Sequence, residues 1–102
     1  MQVVLRYFDG CPNWETARER LEEALHTIGV STEVRLEQVT SQEQAERLRF
    51  VGSPTILVDG RDPFPAGDEG FGLTCRVYWS DAGASGSPTV GQLVEALSAP
   101  AR

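Results

Sequence analysis

The chain has few of the residues that build metal centres or disulfide scaffolds. Its 102 residues include two cysteines and one histidine. Cys11, Cys75 and His26 lie far apart in sequence and cannot close a four-ligand zinc site, so no metal is expected. Two cysteines also fall short of a disulfide framework. Nine basic residues face fifteen acidic ones, giving a formal net charge of -6. No basic stripe is present, which argues against nucleic acid as a partner. No apolar run reaches the length of a membrane span. The first residues, Met1 to Arg6, lack the basic, apolar and small-residue zones of a signal peptide, so the expected address is the cytoplasm, where thiols stay mostly reduced. No catalytic triad, paired carboxylates or phosphate-binding glycine loop stands out; the glycines of residues 67–72 precede no helix.

What is present suits one domain, residues 1–102, with 40% hydrophobic residues to build its core. Val3 to Phe8 is apolar at almost every position and reads as a strand covered on both faces. Asp9-Gly10 breaks it. Pro12 then suits the first turn of a helix, with Cys11 near its N-cap. Trp14, Ala17, Leu21, Ala24, Leu25 and Ile28 recur at helical spacing, and Gly29 suits a helix C-terminus. A cysteine therefore sits between a strand and a helix. The unpaired N–H groups and positive dipole end of such a helix would stabilise a thiolate, with Asn13 and Trp14 as the donors.

Thr32 to Val39 alternates, with Val34 and Leu36 on one side and Glu33, Arg35 and Glu37 on the other, as in a strand solvated on one face. Two overlapping capping boxes, Thr40 to Glu43 and Ser41 to Gln44, open a short helix ending near Arg49. Thr55 to Val58 reads as a buried strand, with Pro54 at its start, where no ladder N–H is needed. Residues 61–72, rich in Gly, Pro and Asp, read as a surface loop. Leu73 to Trp79 reads as a fourth strand, with Leu73, Cys75, Val77 and Trp79 on one face and Thr74, Arg76 and Tyr78 on the other. Such a strand, if exposed, could pair across a dimer. Ser87-Pro88 supplies an N-cap and first-turn proline for a last helix along Val90, Leu93, Val94 and Leu97, which Pro100 stops.

The order βαβα then ββα, a Cys-Pro pair opening the first helix and a Pro-Thr pair opening the third strand resemble the thioredoxin-like superfamily over nearly all of the chain. The resemblance implies an α/β fold with a four-stranded mixed sheet flanked by three helices. It implies a cis Ser53-Pro54 bond facing Cys11, with the Ser53 backbone free to pair with a peptide or glutathione strand. Pro12, Asn13, Trp14, Ser53, Pro54 and Thr55 would then line the substrate groove. The motif departs from the dithiol Cys-x-x-Cys pattern, because Trp14 stands at the second position. Cys11 is left as a monothiol nucleophile for a thiol or disulfide substrate, small or protein. The implied activity is that of a thiol–disulfide oxidoreductase without a resident cofactor. Release of a mixed disulfide needs a second thiol: glutathione, another small thiol, or Cys75.

Two readings stand for Cys75, a resolving thiol and a small buried hydrophobe. In an antiparallel hairpin of the third and fourth strands it would lie about four residues from Pro54, roughly 13 Å along a strand. A disulfide needs Cα atoms within roughly 7 Å, so that register favours the inert reading. Trp14 reads as a core or groove aromatic, Asp9 as a loop residue and His26 as surface. Gly72 to Trp79 also resembles the second cysteine segment of organomercurial lyases over a few residues, and no activity is carried over from it. The rival to exchange chemistry is a non-enzymatic binding module or a soft-metal, mercury-type thiol site at Cys11, for which one thiolate is a poor ligand set.

Overall fold

The computed structural model describes residues 1–64 and 70–98. Over these residues the chain forms β1 (Val3–Tyr7), α1 (Trp14–Thr27), β2 (Val34–Gln38), α2 (Gln42–Leu48), β3 (Thr55–Val58), β4 (Tyr78–Ser80), β5 (Gly83–Ser85) and α3 (Val90–Ser98). β1 is the central strand of a three-stranded sheet ordered β2-β1-β3. It runs parallel to β2, with Leu5 opposite Leu36, and antiparallel to β3, with Leu5 opposite Ile56. The parallel step from β1 to β2 needs a crossover, and α1 supplies it.

Strand alternation sends Val3 and Leu5 to one face, where they meet the apolar stripe of α1 and the buried side of α3. Val3, Leu5, Ile56, Ala17, Leu21, Ala24, Leu25, Leu93 and Leu97 form this core. Arg6, on the opposite face, pairs with Glu37 and donates to the Leu48 carbonyl at the end of α2 (3.3 Å). A smaller cluster of Val39, Ala45 and Phe50, with Phe8 and Leu48 beside it, holds α2 there.

Local chemistry sets the helix ends. Gly29 takes φ 74, and the N–H groups of Gly29 and Val30 bond the carbonyls of His26 and Leu25, closing α1 in a Schellman arrangement. At α2 the Ser41 hydroxyl accepts from the Gln44 N–H (3.1 Å), while the Gln44 amide oxygen accepts from the Thr40 N–H (2.8 Å). Of the two capping boxes in the sequence, the Ser41–Gln44 pair is the one that caps.

Several expectations are corrected. α1 begins at Trp14 with Asn13 as N-cap, so Pro12 and Cys11 lie in the preceding turn. Ser87-Pro88 does not cap α3. Thr89 does, its hydroxyl accepting from the Gln92 N–H (3.0 Å), and Ser87 instead accepts from Arg20 of α1 (2.9 Å). Leu36 of β2 is exposed, and β2 is more open to solvent than one-sided burial implied. Among the described residues the main sheet has three strands rather than the expected four. Leu73 to Trp79 does not add to β3; only Tyr78–Ser80 is strand, and it pairs with β5 in a separate hairpin. The expected stop at Pro100, and part of the 61–72 loop, lie outside the described residues. Among the described residues no helix is long and apolar enough to cross a membrane.

Candidate functional site: two thiols on a shared backbone hub

β1 ends at Tyr7, and the chain turns at once, with the Cys11 N–H bonding the Phe8 carbonyl (3.1 Å). The turn is tight: a Cβ on Gly10 would lie 3.0 Å from the Phe8 ring. It delivers Cys11 to the start of β3, where the Ser53-Pro54 peptide is cis. The Cys11 thiol donates to the Ser53 carbonyl (3.5 Å) and is 1% exposed.

Ser53 is fully buried, and its backbone is already occupied. Its N–H donates to the Thr74 carbonyl and its carbonyl accepts from the Arg76 N–H, both at 2.8 Å. The segment around Cys75 therefore lies parallel beside Ser53 as a one-rung bridge. This overturns the expected free Ser53 edge: the chain's own 74–76 segment takes the place reserved for a partner strand. It also overturns the antiparallel register that held Cys75 far from Cys11. The long connection after β3 lets the chain return to the start of that strand instead of folding back along it. The Cys75 sulfur lies 3.5 Å from the Cys11 sulfur, as a donor to it. Both thiols are free, Cys11 buried and Cys75 exposed. The hydrogen bond to Cys11, with lesser contributions from burial and the Cys11 charge, pushes the Cys75 thiol above its ordinary pKa.

The segment is pinned by the side chains of Arg76 and Tyr78. A Cβ on Gly52 (φ 136) would lie 3.0 Å from the Arg76 Cβ, so glycine is required for this close approach. Arg76 is buried; it pairs with Asp62 (2.6 Å), donates to the Phe64 carbonyl (3.0 Å) and lies over the Tyr78 ring (4.6 Å). The Tyr78 hydroxyl donates to the Pro54 carbonyl. Burial, opposed by the Arg76 charge, pushes the Tyr78 phenol far above its usual range, so it remains a donor. Tyr78→Phe leaves that carbonyl without this donor and should lower the unfolding free energy by about 1–3 kcal/mol in urea titration. A loss below roughly 0.5 kcal/mol would show that the bond contributes little.

The remaining candidates divide. Thr55 is buried, its hydroxyl donating to the Gly52 carbonyl (2.6 Å), a local structural bond rather than a groove contact. Trp14 is half-buried and stacks on Tyr7 with ring centroids 4.1 Å apart. The Asn13 side chain packs against Gly86, and Pro12 is exposed. α1 has no side-chain cap, and among the described residues no N–H of its first turn bonds the Cys11 sulfur. The sulfur's partners are instead the Ser53 carbonyl, which accepts from it, and the Cys75 thiol, which donates to it. Asp9 and His26 are exposed. Thr74, Arg76, Tyr78 and Asp62 are not among the site residues that the sequence suggests; the available signal is alternation, which puts the first three on one side of an extended segment. Among the described residues no group of three or more His, Cys, Asp or Glu side chains could hold a metal ion.

Compared with known proteins, the chain matches no family model, no curated protein and no solved structure.

Proposed function

We propose that the chain is a thiol–disulfide exchange protein of thioredoxin-like type that cycles between a Cys11/Cys75 dithiol and a Cys11–Cys75 disulfide. The observation that carries this is the 3.5 Å approach of the two sulfurs over the Ser53 carbonyl. Cys75 supplies in cis the second thiol that the Cys11-Pro12-Asn13-Trp14 motif lacks. A small disulfide such as glutathione disulfide is the oxidant: two thiols of the protein give up two protons and two electrons, and two glutathione thiols are released. The reverse reaction returns the dithiol.

The test is glutathione-coupled reduction of a small disulfide, with mass analysis of the protein. Wild type should form the internal disulfide and turn over, and a chain carrying both Cys11→Ser and Cys75→Ser should lose about tenfold or more of the rate. Equal rates for wild type and the double variant, or no internal disulfide in wild type, would sink the reading.

The same pair favours a second reading, a two-thiolate grip on a thiophilic ion, because Cys75 adds the ligand that Cys11 alone lacked. Such a protein would bind a soft cation one-to-one, lose it in either Cys→Ser variant, and show no glutathione-coupled turnover.

A further inference from the structure

We propose that Cys75, not Cys11, is the sulfur that exchanges with outside molecules, and that Cys11 is the buried thiol that resolves the adduct. This assignment rests on the thiol–disulfide reading above. Exchange at a disulfide requires the incoming sulfur to approach along the axis of the bond being broken, from the side away from the leaving sulfur. For attack at Cys11, that approach runs through Cys11's own surroundings, where the residue is 1% exposed. For attack at Cys75, it runs through solvent, because Cys75 is exposed and its inner side already faces Cys11. The neighbouring residues leave this path open: Leu73 and Val77, on the same side of the extended segment, are exposed, while Arg76 and Tyr78 turn inward.

The bond changes balance. An external thiolate attacks the Cys75 sulfur of the internal disulfide, forming a mixed disulfide there. The Cys11–Cys75 bond breaks, and its electron pair goes to the Cys11 sulfur. Cys11 takes a proton from solvent and donates it in a hydrogen bond to the Ser53 carbonyl, the contact it makes in the dithiol. A second external thiolate then attacks the outer sulfur. The external disulfide leaves, and Cys75 becomes a thiol again. Alternatively, deprotonated Cys11 attacks Cys75, expels the external thiol and restores the internal disulfide. The substrate class is therefore a thiol or disulfide that meets Cys75 from solvent, without entering the Ser53 backbone bridge.

The experiment uses glutathione as the probe. Oxidised wild-type protein is mixed with glutathione, quenched in acid and mapped by peptide mass. Glutathione should be found on Cys75 with Cys11 free. In a second arm, reduced Cys11→Ser and Cys75→Ser chains meet glutathione disulfide, and modification at Cys75 should outpace that at Cys11 by about tenfold or more. Glutathione on Cys11, or equal rates in the two variants, overturns the assignment while leaving the exchange reading intact. Failure of wild type to close the Cys11–Cys75 bond with glutathione disulfide overturns the exchange reading, and this assignment with it.

Discussion

Oxidation of the Cys11–Cys75 pair is expected to raise the unfolding midpoint by roughly 10 °C or more. The cysteines are 64 positions apart. A cross-link closing a loop of that size removes denatured-state entropy equivalent to ~4 kcal/mol, with strain in the folded state as the offset. The offset should be modest. The sulfurs must close from 3.5 Å to a bond of about 2.05 Å. The backbone hydrogen bonds of Ser53 to Thr74 and Arg76 already hold the chain on both sides of Cys75. In a domain of this size each kcal/mol moves the midpoint by about 4–8 °C, so even half the entropic figure is readily measured. The check is thermal unfolding of wild type, oxidised with glutathione disulfide and reduced with a thiol, beside Cys75→Ser under both conditions. The variant should show no redox dependence. A wild-type shift below about 2 °C would mean that the bond distorts the site as much as it restrains the unfolded chain.

The sequence made the left-hand side of this site legible and hid the right-hand side, for physical reasons. The stretch from Val3 to Gly29 reads well because two local signals agree: an apolar run that suits a strand, then a 3.6-residue period closed by glycine. Ser41 to Gln44 reads well because a cap acts over three residues. The cis Ser53-Pro54 bond and its place beside Cys11 were accessible only through resemblance, since an X-Pro bond carries no local mark of its isomer. Cys75 was misplaced because alternation reveals which residues share a face, not which strand they will meet. Leu73 to Trp79 has the pattern of a strand, and its odd-numbered side is exposed. Its pairing was decided by contacts distant in sequence: Arg76 with Asp62, Tyr78 with Pro54, and the backbone of Ser53. The capping of α3 moved from Ser87 to Thr89 for a similar reason, because Arg20 of α1 draws on the Ser87 hydroxyl. Local rules fixed the elements, and tertiary partners then chose between the local alternatives.

Those distant contacts make the 73–77 segment a strap over Cys11, and Asp62→Ala is expected to loosen it at a cost of about 3 kcal/mol. The Arg76 side chain is 6% exposed and the Asp62 side chain 23%. Removing the carboxylate leaves a guanidinium in a nearly dry place with the Phe64 carbonyl, the Thr55 hydroxyl and the Tyr78 ring. These are partial partners and do not balance a full charge, so loss of one member of a buried pair is costly. The opposite change, Arg76→Met, should cost less. It keeps an apolar stem against Gly52, and the partly exposed Asp62 can turn to water. Urea unfolding of both variants tests this order. A second readout separates strap opening from general weakening: the alkylation rate of Cys11 in a Cys75→Ser background under native conditions. If the strap opens as a local unit, Asp62→Ala should speed that reaction by about a hundredfold, the factor that ~3 kcal/mol implies. An unchanged rate in a folded Asp62→Ala chain would mean that Arg76 braces β3 without gating access to the buried thiol.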